Sequence, residues 1–400
     1  MNARNIGIIF RKELTDTMRD RRTLISSILM PILLFPLLMA AIAGIGFFVI
    51  SRATRQVSQV MLIGEENAPA LAKRIRKIEN VEVVPESKDY AAQINEKKLR
   101  VAVEFPAGLE TNLYDHPEQP QSISVYWFDG ELRSQTTLRA VEKSVRAYRD
   151  ELVNDRLSAR KLTSADATPF GIEKKNVATA EKVTGNILGF ILHYFVIILC
   201  LTGAMYPAMD LTAGEKERGT METILASPTG RTELVLGKFL LVLLTSVVTT
   251  ALAITSFALT VVAGAGVISR LDKDLVLAVS VPSAVAVFVM VLPLAMTFSA
   301  LLIAISLKAR SYREAQGYLA PLMFLVILPA LGSMIPGIEL NARLALVPIL
   351  NVSLVAKEIF AGQYPWRMIG LIFASTSVIA ALALHVAIRQ FRREEVIFRT

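Results

Sequence analysis

The residue types that carry most enzymatic and metal chemistry are scarce in this chain and lie far apart. The 400 residues include one cysteine, Cys200, and three histidines, His116, His193 and His385. A single cysteine excludes an intrachain disulfide framework and a cysteine-rich zinc site. Three scattered histidines offer little material for a catalytic triad. We therefore predict no catalytic residue and no metal site.

A nucleotide-binding P-loop is also missing from the sequence. Such a loop requires the pattern G-x-x-x-x-G-K-[ST], in which backbone amides surround the phosphates. The nearest stretch, Gly230 to Lys238, reads GRTELVLGK, does not keep this spacing and is followed by Phe239. The chain is therefore expected to bind no cofactor itself and to depend on another subunit for any ATP hydrolysis.

The most informative polar segment is residues 210–238, DLTAGEKERGTMETILASPTGRTELVLGK. Thr212 followed by Glu215 fits a capping box, which predicts a short helix running to about Ala226. Residues 227–230, Ser-Pro-Thr-Gly, would end it. The helix combines an apolar face with a charged first turn, so it could dock on another protein. A solvated surface loop is the alternative.

Six long uncharged runs predict membrane-spanning helices, two of which flank this segment. The chain is 53% hydrophobic, above the roughly 45 to 50% of soluble proteins. A membrane-spanning helix needs about 20 mainly apolar residues. The runs that reach this length are Thr23 to Ser51, Val183 to Met209, Phe239 to Ser269, Leu275 to Leu307, Ala315 to Ile338 and Met368 to Ile388. A cleaved leader is a minor alternative for the first run.

The charge of the short connecting segments predicts the orientation. Residues 1–22, 210–238, 308–314 and 389–400 carry seventeen Lys or Arg together, against five in residues 270–274 and 339–367. Basic segments stay on the cytoplasmic side, so both termini are predicted to be cytoplasmic. The net charge of +8 is then an orientation signal beside anionic lipid, and a nucleic-acid partner is not expected.

Residues 52–182 are predicted to be an extracytoplasmic α/β domain. Strand-like runs at 60–64, 81–84, 101–105 and 123–127 alternate with helical stretches, as crossovers between parallel strands require. A long helix follows at about 132–157. Its apolar stripe could pack on the domain's own sheet, which we favour, or on the same helix of a second copy.

The predicted fold class is an α-helical polytopic membrane protein with six transmembrane helices and this α/β domain inserted between spans 1 and 2. An uncharged segment at 344–356 is too short to cross a bilayer and is predicted to be re-entrant or interfacial. Near the N-terminus, Ile6, Phe10, Leu14 and Met18 recur every four residues, which predicts an amphipathic helix in the membrane interface. The predicted domain boundaries are 1–22, 23–51, 52–182, 183–388 and 389–400.

Three stretches resemble the ABC type 2 permease family. GEKERGTMETILASPTGRTELVLGK is similar to that family's cytoplasmic loop, IFRKELTDTMRDRRTLISSILMPILLFP to its N-terminal helix and first span, and VYWFDGELRSQ to members with a large domain after span 1. The chain most resembles the NatB-like subgroup, whose members work with an ATPase in sodium extrusion.

The resemblance implies a permease of the bacterial cytoplasmic (inner) membrane that exports substrate. It implies a dimer with a second permease copy, identical or related, and two ABC ATPase subunits that bind ATP and Mg. The implied ATPase-coupling interface comprises Gly214, Glu215, Lys216, Glu217, Arg218, Gly219, Thr220, Met221, Glu222, Ile224, Leu225, Ala226, Ser227 and Pro228. The N-terminal helix would add Lys12, Glu13, Arg19, Asp20 and Arg21.

Two other classes of protein compete with this interpretation. An ion-coupled transporter or channel usually places charges within its spans, and the six runs contain none. A relay that passes ATP-driven motion to an external partner is favoured only by the large inserted domain. Polar residues that could line a substrate path are Asn186, Tyr194, Thr202, Tyr206 and Asn351, although no spacing distinguishes them.

Overall fold

The computed structural model describes residues 2–115, 119, 121–162, 189–225, 227–271, 279–335 and 337–392. The chain divides into two compact units, and the division falls within one helix. The first comprises Met1–Ala40 with Asn176–Thr400, and the second comprises Ala41–Lys175.

The first unit is a helical bundle. Its helices are α1 (Ala3–Thr17), α2 (Arg21–Leu24), α3 (Met30–Arg55, which runs into the second unit), α8 (Gly189–Met209), α9 (Glu215–Glu217), α10 (Thr220–Leu225), α11 (Arg231–Leu271), α12 (Val281–Ser306), α13 (Tyr312–Gly332), α14 (Leu350–Phe360) and α15 (Trp366–Phe391). Two π-helical turns, Ile25–Leu29 and Asp210–Gly214, join α2 to α3 and α8 to α9.

Among the residues that the structure describes, six helical segments are long and apolar enough to cross a membrane, as predicted. They are Ile25–Ile42, Leu192–Glu217, Arg231–Gly264, Val281–Ser306, Tyr312–Gly332 and Trp366–Phe391. The span containing α8 is the most deeply packed, because 72% of its most apolar stretch is buried. The corresponding buried share for α13 is only 22%. The bundle is therefore organised around α8.

Helix α8 approaches α11 closely because Gly203 carries no side chain. A Cβ atom at this position would lie 2.5 Å from Oγ1 of Thr249 and 2.6 Å from its Cβ. Small residues allow such close backbone approach between membrane helices. The contact between these two spans therefore depends on a single glycine.

Hydroxyl groups of α11 also satisfy backbone carbonyls of span 1. Ser256 donates to the carbonyl of Ile32 at 2.7 Å, which lies four residues before Pro36 and lacks its usual helical donor because proline has no N–H. Thr249 similarly donates to the carbonyl of Ser27 at 3.0 Å, inside the first π-helical turn. Polar side chains thus compensate for irregular helix geometry at membrane depth.

The segment predicted at 344–356 forms a 3₁₀ turn (Leu344–Leu346) and then α14, which runs past the predicted end. At 11 residues the helix is about 17 Å long. Eight of these residues are buried in the bundle, which favours the re-entrant over the interfacial alternative. Ile349, just before α14, has φ 73° and ψ −55°, and the N–H of Leu350 donates to the carbonyl of Pro348. This is a strained γ-turn.

The second unit is a small α/β domain, as predicted. Strands β1 (Ser58–Ile63), β2 (Val81–Val84), β3 (Val101–Glu104) and β4 (Ser124–Trp127) form a sheet of order β2-β1-β3-β4. β1 pairs in parallel with β2 and β3, and β4 is antiparallel to β3. The helices are α4 (Pro69–Ile75), α5 (Tyr90–Asn95), α6 (Leu109–Asp115) and α7 (Leu132–Ala159).

The stripe of α7 packs on the domain's own core, the alternative we favoured. Val141 is fully buried with Val101 and Val103 of β3, and Leu138 and Val145 pack against the same cluster. The ladder of β1 and β3, from Val60 opposite Val101 to Ile63 opposite Glu104, supplies the buried face. The apolar repeat of α7 thus covers one face of the sheet.

Candidate coupling site

The segment after span 2 continues the spanning helix instead of starting a new one. Thr212 is buried, and its hydroxyl donates to the carbonyl of Ala208 at 2.6 Å, so it lies inside a helix. The predicted capping box of Thr212 and Glu215 is therefore wrong. The physical reason is that Leu211, Thr212 and Ala213 are all buried, and that burial stabilises another turn.

The helix ends at Glu217, with Arg218 as its C-cap and Gly219 just beyond it. Gly219 has φ 69°, a left-handed conformation that glycine adopts without steric penalty. Its N–H donates to the carbonyl of Lys216 at 3.0 Å, and the N–H of Arg218 donates to that of Gly214 at 3.1 Å. These contacts are typical of a helix C-terminus with glycine just beyond it. The single helix predicted from Thr212 to Ala226 is thus divided into α9 and α10.

Three charged side chains meet beneath this helix end and form what we call the buried ion cluster: Glu13, Glu215 and Lys238. The ammonium of Lys238 pairs with the carboxylate of Glu215, lies 3.8 Å from Glu13 and donates to the carbonyl of Leu211 at 2.8 Å. Their side chains are only 1%, 3% and 5% exposed for Lys238, Glu13 and Glu215. Buried charges need such partners. The cluster connects α1, α9 and α11.

Lys12 extends the cluster toward solvent. Its ammonium lies 3.2 Å from Glu13 and 3.3 Å from Asp16. Partial burial lowers the pKa of Lys12, but Glu13 and the nearby carboxylates raise it more, so the net pKa lies above its ordinary value. Lys12 therefore remains a cation at the edge of the cluster.

Helix α1 packs along the start of α11. Its amino end is held by Glu233, which accepts from the N–H of Asn2 at 2.6 Å and from the side-chain amide of Asn5 at 2.8 Å. One turn on, Gly237 allows close contact, since a Cβ there would lie 2.5 Å from Cγ2 of Ile9. Glu13 lies on this packed side. We predicted Glu13 as an ATPase-facing residue, but its burial removes it from any exposed surface in this conformation.

The predicted stripe of α1 is only partly used in this packing. Phe10 and Leu14 pack against the bundle core, whereas Met18 is 59% exposed. Ile9, outside that stripe, contacts a second apolar cluster with Met221 and Leu234. The packed face is therefore rotated from the four-residue repeat, because Glu13 and Ile9 must face α11.

Lys216 and Glu217 hold the short connection between spans 4 and 5, an arrangement we call the helix-end clamp. The ammonium of Lys216 donates to the carbonyl of Leu307, just after α12, and to that of Ala309 at 3.4 Å. The carboxylate of Glu217 accepts from the N–H of Tyr312, the first residue of α13, at 2.7 Å. A cation at a helix C-terminus and an anion at an N-terminus both complement the helix dipole. The clamp makes α9 a rigid link to two further spans.

The exposed residues of the segment form a surface next to a cavity. Arg218 pairs with Asp210 at 2.8 Å, and this hydrogen bond raises the pKa of the guanidinium despite some burial. The cavity has a volume of about 720 Å³. Its walls belong to the N-terminal segment, span 2, α9 and α13, and are Asp16, Asp20, Thr23, Tyr206, Asp210, Gly214, Glu217, Arg218 and Tyr312.

The structure divides the predicted coupling residues into three sets by burial. Gly214, Glu215 and Met221 are buried, and Met221 packs against Leu234, Val235, Leu307 and Phe391. Lys216, Ile224 and Ser227 are half-buried, and the exposed members are Glu217, Arg218, Gly219, Thr220, Glu222 and Pro228. Leu225 ends α10, and Ala226 lies outside the described residues. The first set positions the segment, and the last offers it to a partner.

In the predicted N-terminal set, Arg19 and Arg21 are exposed. Asp20 instead caps α2: its carboxylate accepts from the N–H of Thr23 at 3.1 Å and from its hydroxyl at 2.5 Å. A side-chain acceptor of this kind satisfies a free amide at the start of a helix. Asp20 therefore has a structural task and also lines the cavity.

The predicted path residues do not meet in one place. Thr202 donates to the carbonyl of Leu199 in its own helix. Asn351 is fully buried, and its amide donates to the carbonyl of Ala345 at 3.0 Å. Tyr194 contacts Phe195 edge to face, Tyr206 lines the 720 Å³ cavity, and Asn186 lies outside the described residues. Each described residue thus has a local role.

Sequence reasoning missed the importance of Lys238 and Glu233. Both lie at the predicted boundary of span 3, where a charge ordinarily marks the end of a span. Lys238 and Glu13 are 225 positions apart, and no local pattern connects them. The only signal was that the segment's last charge directly precedes an apolar run.

The described parts of the chain contain six candidate spanning helices, an inserted α/β domain and a short helix fixed between the spans, which together define a polytopic membrane subunit. The sequence model of ABC-2 family transporter proteins matches residues 21–389. The chain is also similar to the ABC transporter permease protein NatB of Bacillus subtilis (strain 168), with 26% identity over 359 residues that cover 89% of each chain.

This chain belongs to the ABC-2 family of transporter proteins. It is a multi-pass membrane protein of the ABC transporter permease type, and its family implies a separate ATPase subunit.

Proposed function

We propose that this permease exports a substrate by alternating access, driven by ATP hydrolysis on two ABC ATPase subunits that bind α9, α10 and the N-terminal segment. ATP and Mg would be bound by those subunits. The permease would act as a dimer with an identical or related copy in the bacterial inner membrane. Both termini and residues 210–238 would face the cytoplasm, and residues 52–182 the outside.

The observation that carries this proposal is the helix-end clamp. Glu217 binds the first amide of α13, and Lys216 binds the carbonyls of Leu307 and Ala309, just after α12. A push on the exposed surface beside them would therefore be transmitted to spans 4 and 5 without passing through a flexible loop.

The buried ion cluster extends this connection to other parts of the bundle. Lys238 links the end of span 2, through Glu215, to the start of span 3, and Glu13 adds α1. Four spans and the N-terminal helix thus converge on one short segment. A surface loop without mechanical function has no need for this convergence.

Sodium is the proposed cargo only through the resemblance to NatB-like permeases. Reconstitution of the permease with its ATPase in proteoliposomes would test the cargo. It would also test whether the protein is an exporter, a mechanical relay, or a channel or secondary transporter. Exporter function predicts ATP hydrolysis stimulated by sodium over potassium, together with sodium accumulation on the opposite side. Hydrolysis stimulated only by an external protein partner would favour a mechanical relay, and sodium movement without ATP would favour a channel or secondary transporter.

The clamp gives a direct test of coupling. Glu217→Ala removes a charge-assisted hydrogen bond of about 1.5 kcal/mol, so export per ATP hydrolysed should fall about tenfold. Gly219→Pro should have the larger effect, because proline can neither adopt φ 69° nor donate the amide hydrogen bond. Glu217→Gln, which keeps an acceptor oxygen, is the matched control and should retain most coupling.

Membrane insertion of each variant is checked by its yield in the membrane fraction. Normal export per ATP in both Glu217→Ala and Gly219→Pro would contradict the coupling assignment.

A further inference from the structure

The α/β domain contains a cavity that none of the features above explains. Its volume is about 280 Å³, close to the lower end of known small-molecule sites. Its walls come from α4, α6, α7 and the segment before β4, and the apolar side chains among them are mainly Leu71, Leu109, Leu113, Val145, Tyr148 and Leu152. The cavity therefore lies under the second half of the α7 stripe.

Glu110 gives this apolar cavity a charged group. It lies in the first turn of α6 and lines the cavity. Its Oε2 atom is buried, and within the described part of the chain it has no hydrogen-bond partner. A buried carboxylate oxygen without a donor is unfavourable by about 1 to 3 kcal/mol or more. The missing partner is a hydrogen-bond donor, and for a carboxylate a cationic donor is the most favourable.

The neighbouring cation does not supply that donor. Arg149 also lines the cavity, but its guanidinium binds Asp150 through Nε at 3.0 Å and Nη2 at 2.8 Å. Arg156, two turns further along α7, donates to the carbonyl of Leu113. Both guanidinium groups are thus engaged elsewhere.

The aromatic wall of the cavity is fixed from its outer side. The guanidinium of Arg74 lies over the Tyr148 ring at 5.2 Å from the centroid and pairs with Glu151. Burial raises the pKa of the Tyr148 phenol, and Tyr114 and Glu110 raise it further. The aromatic wall is therefore neutral and preformed. Among the described residues that line the cavity, the charged group without a partner is the carboxylate of Glu110.

We propose that this cavity binds a small organic ammonium ion, whose apolar body lies between Leu113, Val145 and Tyr148 and whose N–H donates to Oε2 of Glu110. The body is smaller than a drug-sized ligand, since the cavity volume is about 280 Å³. The carboxylate provides selection for charge, and the walls provide selection for an aliphatic body. This site is independent of the coupling segment and of the cargo.

The single native cysteine makes a protection experiment possible, because Cys200 is buried in the helical bundle. Leu113→Cys places a thiol in the cavity of the full-length permease in lipid nanodiscs. The probe is hexylammonium, compared with hexanol and hexanoate, and the measurement is the rate of reaction with a polar thiosulfonate reagent. Ser158→Cys, an exposed position on α7, controls for effects of the probes on the reagent. Leu152→Cys is the alternative if Leu113→Cys does not insert.

We expect hexylammonium to slow labelling of the cavity cysteine at least fivefold, with little effect of hexanol or hexanoate. Adding Glu110→Gln should abolish this protection, whereas adding Glu142→Gln, which removes an exposed charge paired with Arg146, should leave it intact. Equal protection by all three probes would show an apolar cavity without selection for ammonium. Either that result, or no protection by hexylammonium, overturns the proposal.

Discussion

At the scale of single residues, the coupling segment depends on one lysine at the start of span 3. Lys238 is the only cation that directly balances both Glu13 and Glu215 in the described buried ion cluster. Removing one partner of a buried ion pair leaves the other charge without compensation, which destabilises proteins more than the pair itself stabilises them. The stability of the cluster should therefore fall on loss of the lysine alone. It should fall less when a carboxylate is neutralised together with the lysine.

We expect Lys238→Met to lower the free energy of unfolding by about 3 to 5 kcal/mol. Thermal unfolding of the purified permease, followed by loss of the monodisperse peak in gel filtration, measures the effect. Lys98→Met is the matched control, because Lys98 pairs with Glu96 on an exposed surface and such pairs contribute at most about 1 kcal/mol.

The double variant Lys238→Met with Glu215→Gln should recover part of the loss, because it removes the carboxylate charge that Lys238 pairs with, whereas Glu13 keeps its pair with Lys12. If Lys238→Met were as stable as Lys98→Met, the cluster would have no structural role.

At the scale of elements, the bundle depends on the close approach of α8 and α11. The hydroxyls of Thr249 and Ser256 bind carbonyls of span 1, so α11 contacts α8 on one side and span 1 on another. Gly203 faces Thr249, and the same threonine therefore fixes both contacts. A displacement of α11 from α8 would disturb span 1 as well.

Gly203→Ala should destabilise the bundle by about 1 to 3 kcal/mol, the usual result of inserting a methyl group into a packed contact. A Cβ atom at this position meets the Thr249 Cβ at 2.6 Å, so one of the two helices must move. The melting temperature of the purified protein measures the change.

Gly370→Ala is the control, because nothing lies within 4 Å of a Cβ at that position and alanine favours a helix over glycine by roughly 1 kcal/mol. It should be neutral or stabilising. Equal melting temperatures for Gly203→Ala and the native protein would show that this contact is looser than described.

At the scale of the whole molecule, the predicted orientation determines whether an ATPase can reach the coupling segment. Seventeen of the Lys and Arg residues in short connecting segments lie on the predicted cytoplasmic side. The same side carries α9, α10 and the helix-end clamp. The charge distribution and the proposed coupling role therefore require the same topology, with residues 210–238 on the cytoplasmic side.

Cysteine labelling of intact cells tests this topology. Thr223→Cys, an exposed position on α10, should react with a membrane-impermeant thiol reagent only after the cells are opened. Ser158→Cys in the α/β domain should react in intact cells. Native Cys200 is buried and should give little background. Labelling of Thr223→Cys from outside would contradict the orientation and, with it, the proposed coupling to a cytoplasmic ATPase.

The sequence by itself determined the six spans, the strands of the α/β domain and the long helix α7. These features follow from local hydrophobic periodicity and from the length of apolar runs. Both are properties of the sequence alone and do not depend on tertiary contacts. It also marked residues 214–228 as the segment of interest, because their residue pattern resembles the cytoplasmic loop of the ABC type 2 permease family. The end of the helix was misplaced because the capping pattern of Thr212 and Glu215 is local, whereas burial of both side chains depends on the surrounding helices.

Only the tertiary structure decided what the charged residues of that segment contact. Glu13, Glu215 and Lys238 come from three distant parts of the chain, and Glu217 reaches Tyr312 across 95 positions. A charge in a sequence looks the same whether it faces water or a buried partner. The difference arises from the desolvation of that charge, and desolvation is set by how the helices pack against each other.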